Sequence, residues 1–168
     1  MEFINVCKER EATRKFKSKQ VDMETIRKIL EVGRLAPTAK NQQPQKIYVV
    51  SSKDGLDKID KASPCRYNAP TVLLVCSDKK VAWSKENYST YEMDACIVAT
   101  HLMLGATNYG VDNIWIEMFD KDIIKREFNL GENIEPICLI PLGYKTEDYV
   151  GNPLHHQRKE LEETVQYI

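Results

Sequence analysis

Two arginines near the start of the chain and a basic pair near its end carry the strongest chemical signal. Arg10 and Arg14 are four residues apart, and Arg158 precedes Lys159 close to the C-terminus. A planar guanidinium group donates two parallel hydrogen bonds to phosphate oxygens, so these residues suit a phosphate ligand. If Arg10 and Arg14 lie on a helical or turn-like segment, they face the same way. A solvated charged surface is the alternative, because Lys and Glu residues flank both arginines.

A second polar segment combines two prolines with side-chain amides. Residues 37–44 read Pro-Thr-Ala-Lys-Asn-Gln-Gln-Pro, so a proline restricts the backbone at each end. The amides of Asn41 and Gln43 both donate and accept hydrogen bonds, which suits the edge of a flat heterocycle such as a flavin pyrimidine. An ordinary polar turn is the alternative, since Asn and Pro both favour turns.

No side chain stands out as a nucleophile or a general base. The seven glycines form neither a dinucleotide-binding fingerprint nor a P-loop, and no nucleophile elbow is present. His155 and His156 are adjacent, but no carboxylate or cysteine stands at ligand spacing, so we expect no metal site. This pattern fits a protein whose bound cofactor carries the chemistry.

The elements that must position these residues alternate between helix and strand. Apolar spacing predicts four helices, over residues 21–36, 54–62, 88–109 and 120–128. Runs rich in apolar, β-branched and aromatic residues predict four strands, over residues 46–51, 71–77, 112–118 and 135–142. The strand over 71–77 is apolar enough to be buried on both faces. A further helix is predicted over 159–168, where apolar residues recur at helical spacing. This alternation predicts a layered α/β or α+β domain.

Length, charge and cysteine usage bound the class of protein. The chain has 168 residues, which suits a single domain over 1–168, and its 24 basic residues nearly balance 25 acidic ones. This balance argues against a nucleic-acid partner. The longest apolar runs are far shorter than the roughly 20 residues of a membrane span, and the N-terminus does not read as a secretory signal. Five cysteines without a C-x-x-C pair favour a reduced, cytoplasmic location.

The order and spacing of these segments resemble the FMN-dependent nitroreductase family over nearly the whole chain. The family pattern near the start is Arg-x-Ser-x-Arg/Lys, and its Ala-Pro-Ser-x-x-Asn-x-Gln-Pro loop is nearly intact over residues 36–44. The resemblance implies an α+β fold that binds FMN, with a central, mainly antiparallel sheet flanked by helices. It also implies a set of cofactor-binding residues: Arg10, Ala12, Arg14, Pro37, Thr38, Ala39, Asn41, Gln43, Glu117, Met118, Arg158 and Lys159.

The resemblance further implies roles for these residues and a reaction. Arg10 and the basic pair near the C-terminus would clamp the FMN phosphate, and Arg14 would lie near the pyrimidine end of the ring. A backbone N–H at Glu117 or Met118 would point at flavin N5, which carries the hydride, so no side chain is catalytic. The implied reaction transfers electrons from NAD(P)H to a nitroaromatic, quinone or related small-molecule acceptor by a ping-pong mechanism.

Members of the family are homodimers in which terminal segments wrap the partner and the flavin lies at the interface. The resemblance therefore implies a homodimer, with an extended tail over about 145–168 that lies on the partner. Two alternatives stay open: a divergent member with other flavin chemistry, such as reductive dehalogenation or flavin fragmentation, and a non-enzymatic flavin-binding protein. Ala12, Gln45 and Met118, where the family more often has Ser, Trp and Gly, favour divergence.

Overall fold

A four-stranded sheet forms the centre of the structure, a computed structural model that describes residues 2–168. Its strands are β1 (Gln45–Val50), β2 (Thr71–Asp78), β5 (Asp112–Asn113) and β6 (Ile134–Gly143). Their spatial order is β1-β2-β6-β5, and all neighbours are antiparallel. A separate hairpin pairs β3 (Ser84–Lys85) with β4 (Tyr88–Ser89). The predicted α+β class with a mainly antiparallel sheet is confirmed.

The two middle strands are apolar along most of their length because both of their faces are covered. Every residue of 71–77 and of 136–143 is buried. Alternate residues of a strand point to opposite faces, so Leu73 and Val75 enter one core while Val72 and Leu74 enter the other. The prediction that 71–77 is buried on both faces is confirmed.

Helices cover both faces of this sheet. One core contains residues of α2 (Met23–Arg34) and α4 (Tyr91–Asn108), and α1 (Phe3–Glu9) packs on α4. The other core contains residues of α3 (Lys53–Ala62) and α5 (Lys121–Glu127). α4 packs against both α2 and the sheet, which is why its sequence is apolar on more than one side. Within residues 2–168, no helix combines the length and the apolar character that crossing a membrane would require.

Two elements differ from the sequence prediction because tertiary contacts divide them. The central helix begins at Tyr91 rather than at residue 88, since Tyr88 and Ser89 belong to the hairpin. The strand predicted over 112–118 is regular only at its start. It continues as a single bridge between Ile116 and Leu139 in the middle of β6.

One helix prediction is wrong and one helix was not predicted, because the apolar pattern in both segments is a weak guide to structure. The predicted helix over 159–168 is wrong: one 3₁₀ turn forms at Leu161–Glu163, and its apolar side chains have no core of their own chain to cover them. Short isolated helices are marginal without such packing. Helix α1 was not predicted, since Val6 is its one buried residue and gives no apolar period.

Phe16 fixes the N-terminal arginine segment, residues 10–17, to the edge of the sheet. This segment is extended, with isolated bridges from Ala12 to Asn113 and from Phe16 to Lys145. The Phe16 ring is 6% exposed and lies directly over Gly143, where a Cβ atom would stand 2.9 Å from Phe16 Cδ1. The absence of a side chain at position 143 therefore lets the segment lie close to β6.

We predict that Phe16→Ala lowers the free energy of unfolding by about 3–5 kcal/mol, because it removes a buried ring and leaves a cavity. Phe16→Leu, which keeps most of the apolar volume, should cost about 1 kcal/mol. Urea unfolding followed by circular dichroism measures both values. A Phe16→Ala variant as stable as the wild type would show that this ring does not hold the segment in place.

Candidate functional site

Four of the expected site residues line one cleft of about 300 Å³, called here the arginine cleft. Arg10, Ala12 and Arg14 lie along the N-terminal segment, and Arg158 comes from the C-terminal tail. The premise of a helical or turn-like segment is wrong, because α1 ends at Glu9 and the chain beyond it is extended. Arg10 and Arg14 still share a side, since every second residue of an extended segment points the same way.

The arginine cleft carries positive charge that the described residues, 2–168, do not neutralise with an ion pair. Among residues 2–168, Arg10, Arg14 and Arg158 have no carboxylate partner within ion-pair distance. Glu11 also lines the cleft, but its carboxylate pairs with Lys145 Nζ at 2.6 Å. Guanidinium groups in this state suit an anionic ligand, and a phosphate group matches their planar donor geometry.

Main-chain carbonyl groups orient two of these guanidinium groups. Arg158 Nη1 donates to the carbonyl oxygens of His155 at 2.6 Å and Gln157 at 2.7 Å. Arg14 Nη1 donates over 3.5 Å to the carbonyl oxygen of Ala12. These main-chain contacts use Nη1 of each guanidinium group, and each group has further N–H donors.

The C-terminal tail is fastened to the N-terminal segment of its own chain. The Tyr149 hydroxyl donates to the Ala12 carbonyl oxygen at 2.9 Å, and His155 Nε2 lies 3.0 Å from the Lys8 carbonyl oxygen. Burial raises the pKa of Tyr149, which keeps its hydroxyl a donor. Two ion pairs join the same stretches, Lys15–Asp148 and Lys17–Glu147. The tail thereby brings Arg158 to the cleft.

A turn at residues 63–67 connects Arg14 with a second group of expected site residues. The pKa of Tyr67 is raised, first by burial and then by Cys65, while the neighbouring Arg14 guanidinium acts to lower it. At the other end of the turn, Ser63 Oγ donates to the Met118 carbonyl oxygen at 2.7 Å. The arginine segment and the segment that follows Ile116 therefore border the same turn.

Glu117 and Met118 follow the bridge of Ile116 to β6 and lie at the surface. The Glu117 carboxylate accepts a hydrogen bond from Trp115 Nε1 at 2.9 Å. Within residues 2–168, the backbone N–H groups of Glu117 and Met118 have no hydrogen-bond acceptor. Both donors are thus available to a ligand, as the expected contact with flavin N5 requires.

The loop over residues 37–44, called here the amide loop, has a strained backbone. Lys40, Asn41 and Gln43 have φ values of 49°, 55° and 51°, in the left-handed region that side chains disfavour. Each such residue costs roughly 1–2 kcal/mol, so surrounding contacts must hold the loop. One of these is internal, because Gln43 N–H donates to Thr38 Oγ1 at 3.0 Å.

The amide loop and the arginine cleft lie at opposite ends of α4. Ala39 N–H donates to Asp94 Oδ1 at 2.8 Å in the first turn of that helix. Asn113, which is bridged to Ala12, donates from Nδ2 to Thr107 Oγ1 at 3.1 Å in the last turn. At 1.5 Å of rise per residue, these two attachment points are about 20 Å apart. One chain therefore does not bring Pro37, Thr38, Ala39, Asn41 and Gln43 to its own arginine cleft.

Several residues at the site escaped the sequence analysis. Asn152, Leu154 and His155 line the arginine cleft. The Asn152-Pro153 pair could have indicated a turn here, and in the structure Asn152 Oδ1 accepts a hydrogen bond from the Leu154 N–H at 2.9 Å. Asp94 is 2% exposed, and the available signal was a carboxylate in the first turn of a mostly apolar helix. Lys159, by contrast, is exposed and does not line the cleft.

Comparison with known proteins agrees with this arrangement. A family profile described as the nitroreductase family matches residues 7–66 and 62–144. The chain belongs to the nitroreductase family. The resemblance deduced from its motifs is therefore confirmed, and the sheet with helices on both faces is the fold of this family.

Relatives of this nitroreductase family protein cover most of its length. A protein of Methanothermobacter thermautotrophicus, provisionally named NADH dehydrogenase/NAD(P)H nitroreductase, is 28% identical over 156 residues, covering 88% of this chain and 80% of that protein. A solved nitroreductase family protein from Clostridium difficile 630 is 36% identical with a TM-score of 0.92, covering 99% and 98% of the two chains. A solved protein of Exiguobacterium sibiricum in complex with FMN has a TM-score of 0.87 and covers 100% and 98%, but at 19% identity it supports the fold alone.

We predict that Tyr149→Phe lowers the free energy of unfolding by about 1 kcal/mol, because the variant loses the hydrogen bond to the Ala12 carbonyl oxygen. Tyr167→Phe is the matched control, since Tyr167 lies in the same tail and is 91% exposed. Urea unfolding of both variants provides the comparison. Equal effects of the two substitutions would mean that the Tyr149 hydroxyl does not fasten the tail.

Proposed function

We propose that this nitroreductase family protein is an FMN-dependent oxidoreductase that transfers electrons from NAD(P)H to a nitroaromatic, quinone or related acceptor. The observation that carries the proposal is the arginine cleft, where Arg10, Arg14 and Arg158 converge without a carboxylate partner among residues 2–168. Such a cleft complements the phosphate monoester of FMN. The NAD(P)H nitroreductase name of a relative supports the reductant, and the FMN complex of a solved protein is an example of this fold holding FMN.

The chain's own groups bind, orient and polarise in this proposal. Arg10 and Arg158 would hold the phosphate, and Lys159, which is exposed outside the cleft, would add positive charge from the surface. Arg14 places positive charge toward the pyrimidine end, where it stabilises the negative charge that reduction adds. A backbone N–H of Glu117 or Met118 donates toward flavin N5. Bound FMN supplies the hydride acceptance and electron donation that no side chain of this site provides.

We propose that the working unit is a homodimer in which the amide loop of one copy meets the arginine cleft of the other. The separation of about 20 Å along α4 supports this arrangement, because a single chain cannot close the site. Asn41 and Gln43 of one copy then face the pyrimidine edge of the flavin held by the other copy. Apolar side chains exposed on the tail support its extension over a partner: Leu161, Val165 and Ile168.

The proposed site serves donor and acceptor in turn. We propose ping-pong kinetics, in which NAD(P)H binds, delivers hydride and leaves before the acceptor enters. The five cysteines are all free in the structure, which supports a reducing compartment, and we propose a cytoplasmic location.

Other flavin chemistry is the second candidate. Ala12 favours it, since its methyl group lines the arginine cleft at the position where the family pattern has a serine hydroxyl. Product analysis with nitroaromatic, quinone and halogenated aromatic acceptors separates the two candidates. A flavin-binding protein without activity would bind FMN but fail to oxidise NAD(P)H with any acceptor.

We predict that Arg10→Ala weakens FMN binding roughly 10- to 150-fold, because a charge-assisted hydrogen bond to the phosphate contributes about 1.5–3 kcal/mol. Titration of the flavin-free protein, followed by quenching of FMN fluorescence, measures the dissociation constant. Arg126→Ala is the matched control, since Arg126 lies on α5 and is exposed. An Arg10→Ala protein that purifies with full yellow flavin occupancy would contradict the phosphate assignment.

We predict that chains carrying Arg10→Ala and chains carrying Asn41→Ala restore activity when they exchange subunits. A mixed dimer pairs the intact arginine cleft of the Asn41→Ala chain with the intact amide loop of the Arg10→Ala chain. An equal mixture should therefore regain about a quarter of wild-type activity, because half of the dimers are mixed and each has one complete site. The assay is NADPH oxidation with a quinone. Activity that stays at the level of the separate variants would refute a site shared between copies.

A further inference from the structure

We infer that Asp94 is a positioning residue of the flavin site, because its buried carboxylate ties the amide loop to α4 and to the hairpin segment of residues 83–89. The inference rests on the proposed function, which assigns the amide loop to FMN. Asp94 itself touches no part of the arginine cleft of its own chain. It acts through the backbone that it holds.

Both oxygens of Asp94 are engaged. Oδ1 accepts the Ala39 N–H at 2.8 Å, and Oδ2 accepts the Thr90 hydroxyl at 2.8 Å. Thr90 N–H in turn donates to the carbonyl oxygen of Trp83 at 3.0 Å. Because Asp94 is 2% exposed, water does not compete freely for these bonds. A continuous chain of hydrogen bonds thus runs from the amide loop through the helix to the hairpin segment.

The hairpin segment also contacts the amide loop directly. Lys40 Nζ lies 5.5 Å from the centre of the Trp83 ring, within range of a cation–π interaction. Trp83 packs edge-to-face against Tyr88, with ring centres 6.1 Å apart, and Tyr88 is half-exposed. These contacts therefore fix the position of the amide loop relative to the half-exposed Tyr88 ring.

The first half of the amide loop depends on Asp94 more than the second half does. The second half is tied to the sheet, because Asp78 N–H donates to the Pro44 carbonyl oxygen at 2.8 Å. The first half contains Lys40 and Asn41, both in the left-handed region, and the Ala39 N–H is its tie to α4. Loss of the Asp94 carboxylate should release this half into less strained conformations.

Amide hydrogen exchange at Ala39 tests the inference without any flavin. Asp94→Ala should accelerate exchange of this N–H roughly 10- to 150-fold, the factor expected for a hydrogen bond to a charged group. Asp94→Asn should restore most of the protection, since its amide oxygen still accepts. Val98→Ala is the matched control, because Val98 is buried one turn further along α4 and has no hydrogen bond to the loop.

FMN titration of the same variants tests the role in the flavin site. Asp94→Ala should weaken FMN binding by about 10-fold, whereas Asp94→Asn and Val98→Ala should bind within about 2-fold of wild type. Ala39 exchange or FMN affinity in Asp94→Ala that matches Val98→Ala would overturn the inference alone. Failure of the wild-type protein to bind FMN would overturn the proposed function and this inference together, so the two failures are distinguishable.

Discussion

The burial of α4 between the sheet and its neighbouring helices sets the distances on which the site depends. This helix packs against α2 on one side and against β2 and β6 on the other, so it cannot bend or shift without disturbing the core. Its first turn holds the amide loop through Asp94, and its last turn holds the edge of the sheet through Asn113. A rigid spacer of about 20 Å thus separates two groups of residues that the sequence suggested would act on one ligand.

The arginine cleft is the second constraint, and it acts through charge rather than packing. Guanidinium groups that lie near one another without carboxylate partners raise the free energy of the unliganded fold. An anion that binds there stabilises the folded state in proportion to the logarithm of its concentration over its dissociation constant. The chain tolerates the arrangement because main-chain carbonyl groups orient Arg14 and Arg158, and because Tyr149 fastens the tail. Binding and folding are therefore coupled at this site.

The amide loop also holds an unfavourable arrangement in the free protein, here as backbone strain rather than as unpaired charge. Left-handed residues at positions 40, 41 and 43 persist because side chains outside and inside the loop hold them. Strain held in this way keeps polar side chains in one orientation before a ligand arrives. Preorganisation of this kind reduces the ordering that binding would otherwise require. The hairpin beside the loop adds aromatic surface to the same unit.

The sequence by itself determined the local elements and the chemistry of the side chains. The run from Thr71 to Ser77 is apolar at every position but its ends, so burial on both faces could be predicted from composition. The guanidinium and amide groups likewise predicted a phosphate ligand and a flat heterocycle. Only the tertiary structure decided that the arginine segment is extended and that residues 159–168 form no regular helix. It also decided that the amide loop and the arginine cleft of one chain lie at opposite ends of α4. The physical reason is that periodicity and side-chain type are local properties, whereas the distance between remote segments is fixed by how helices and strands pack together.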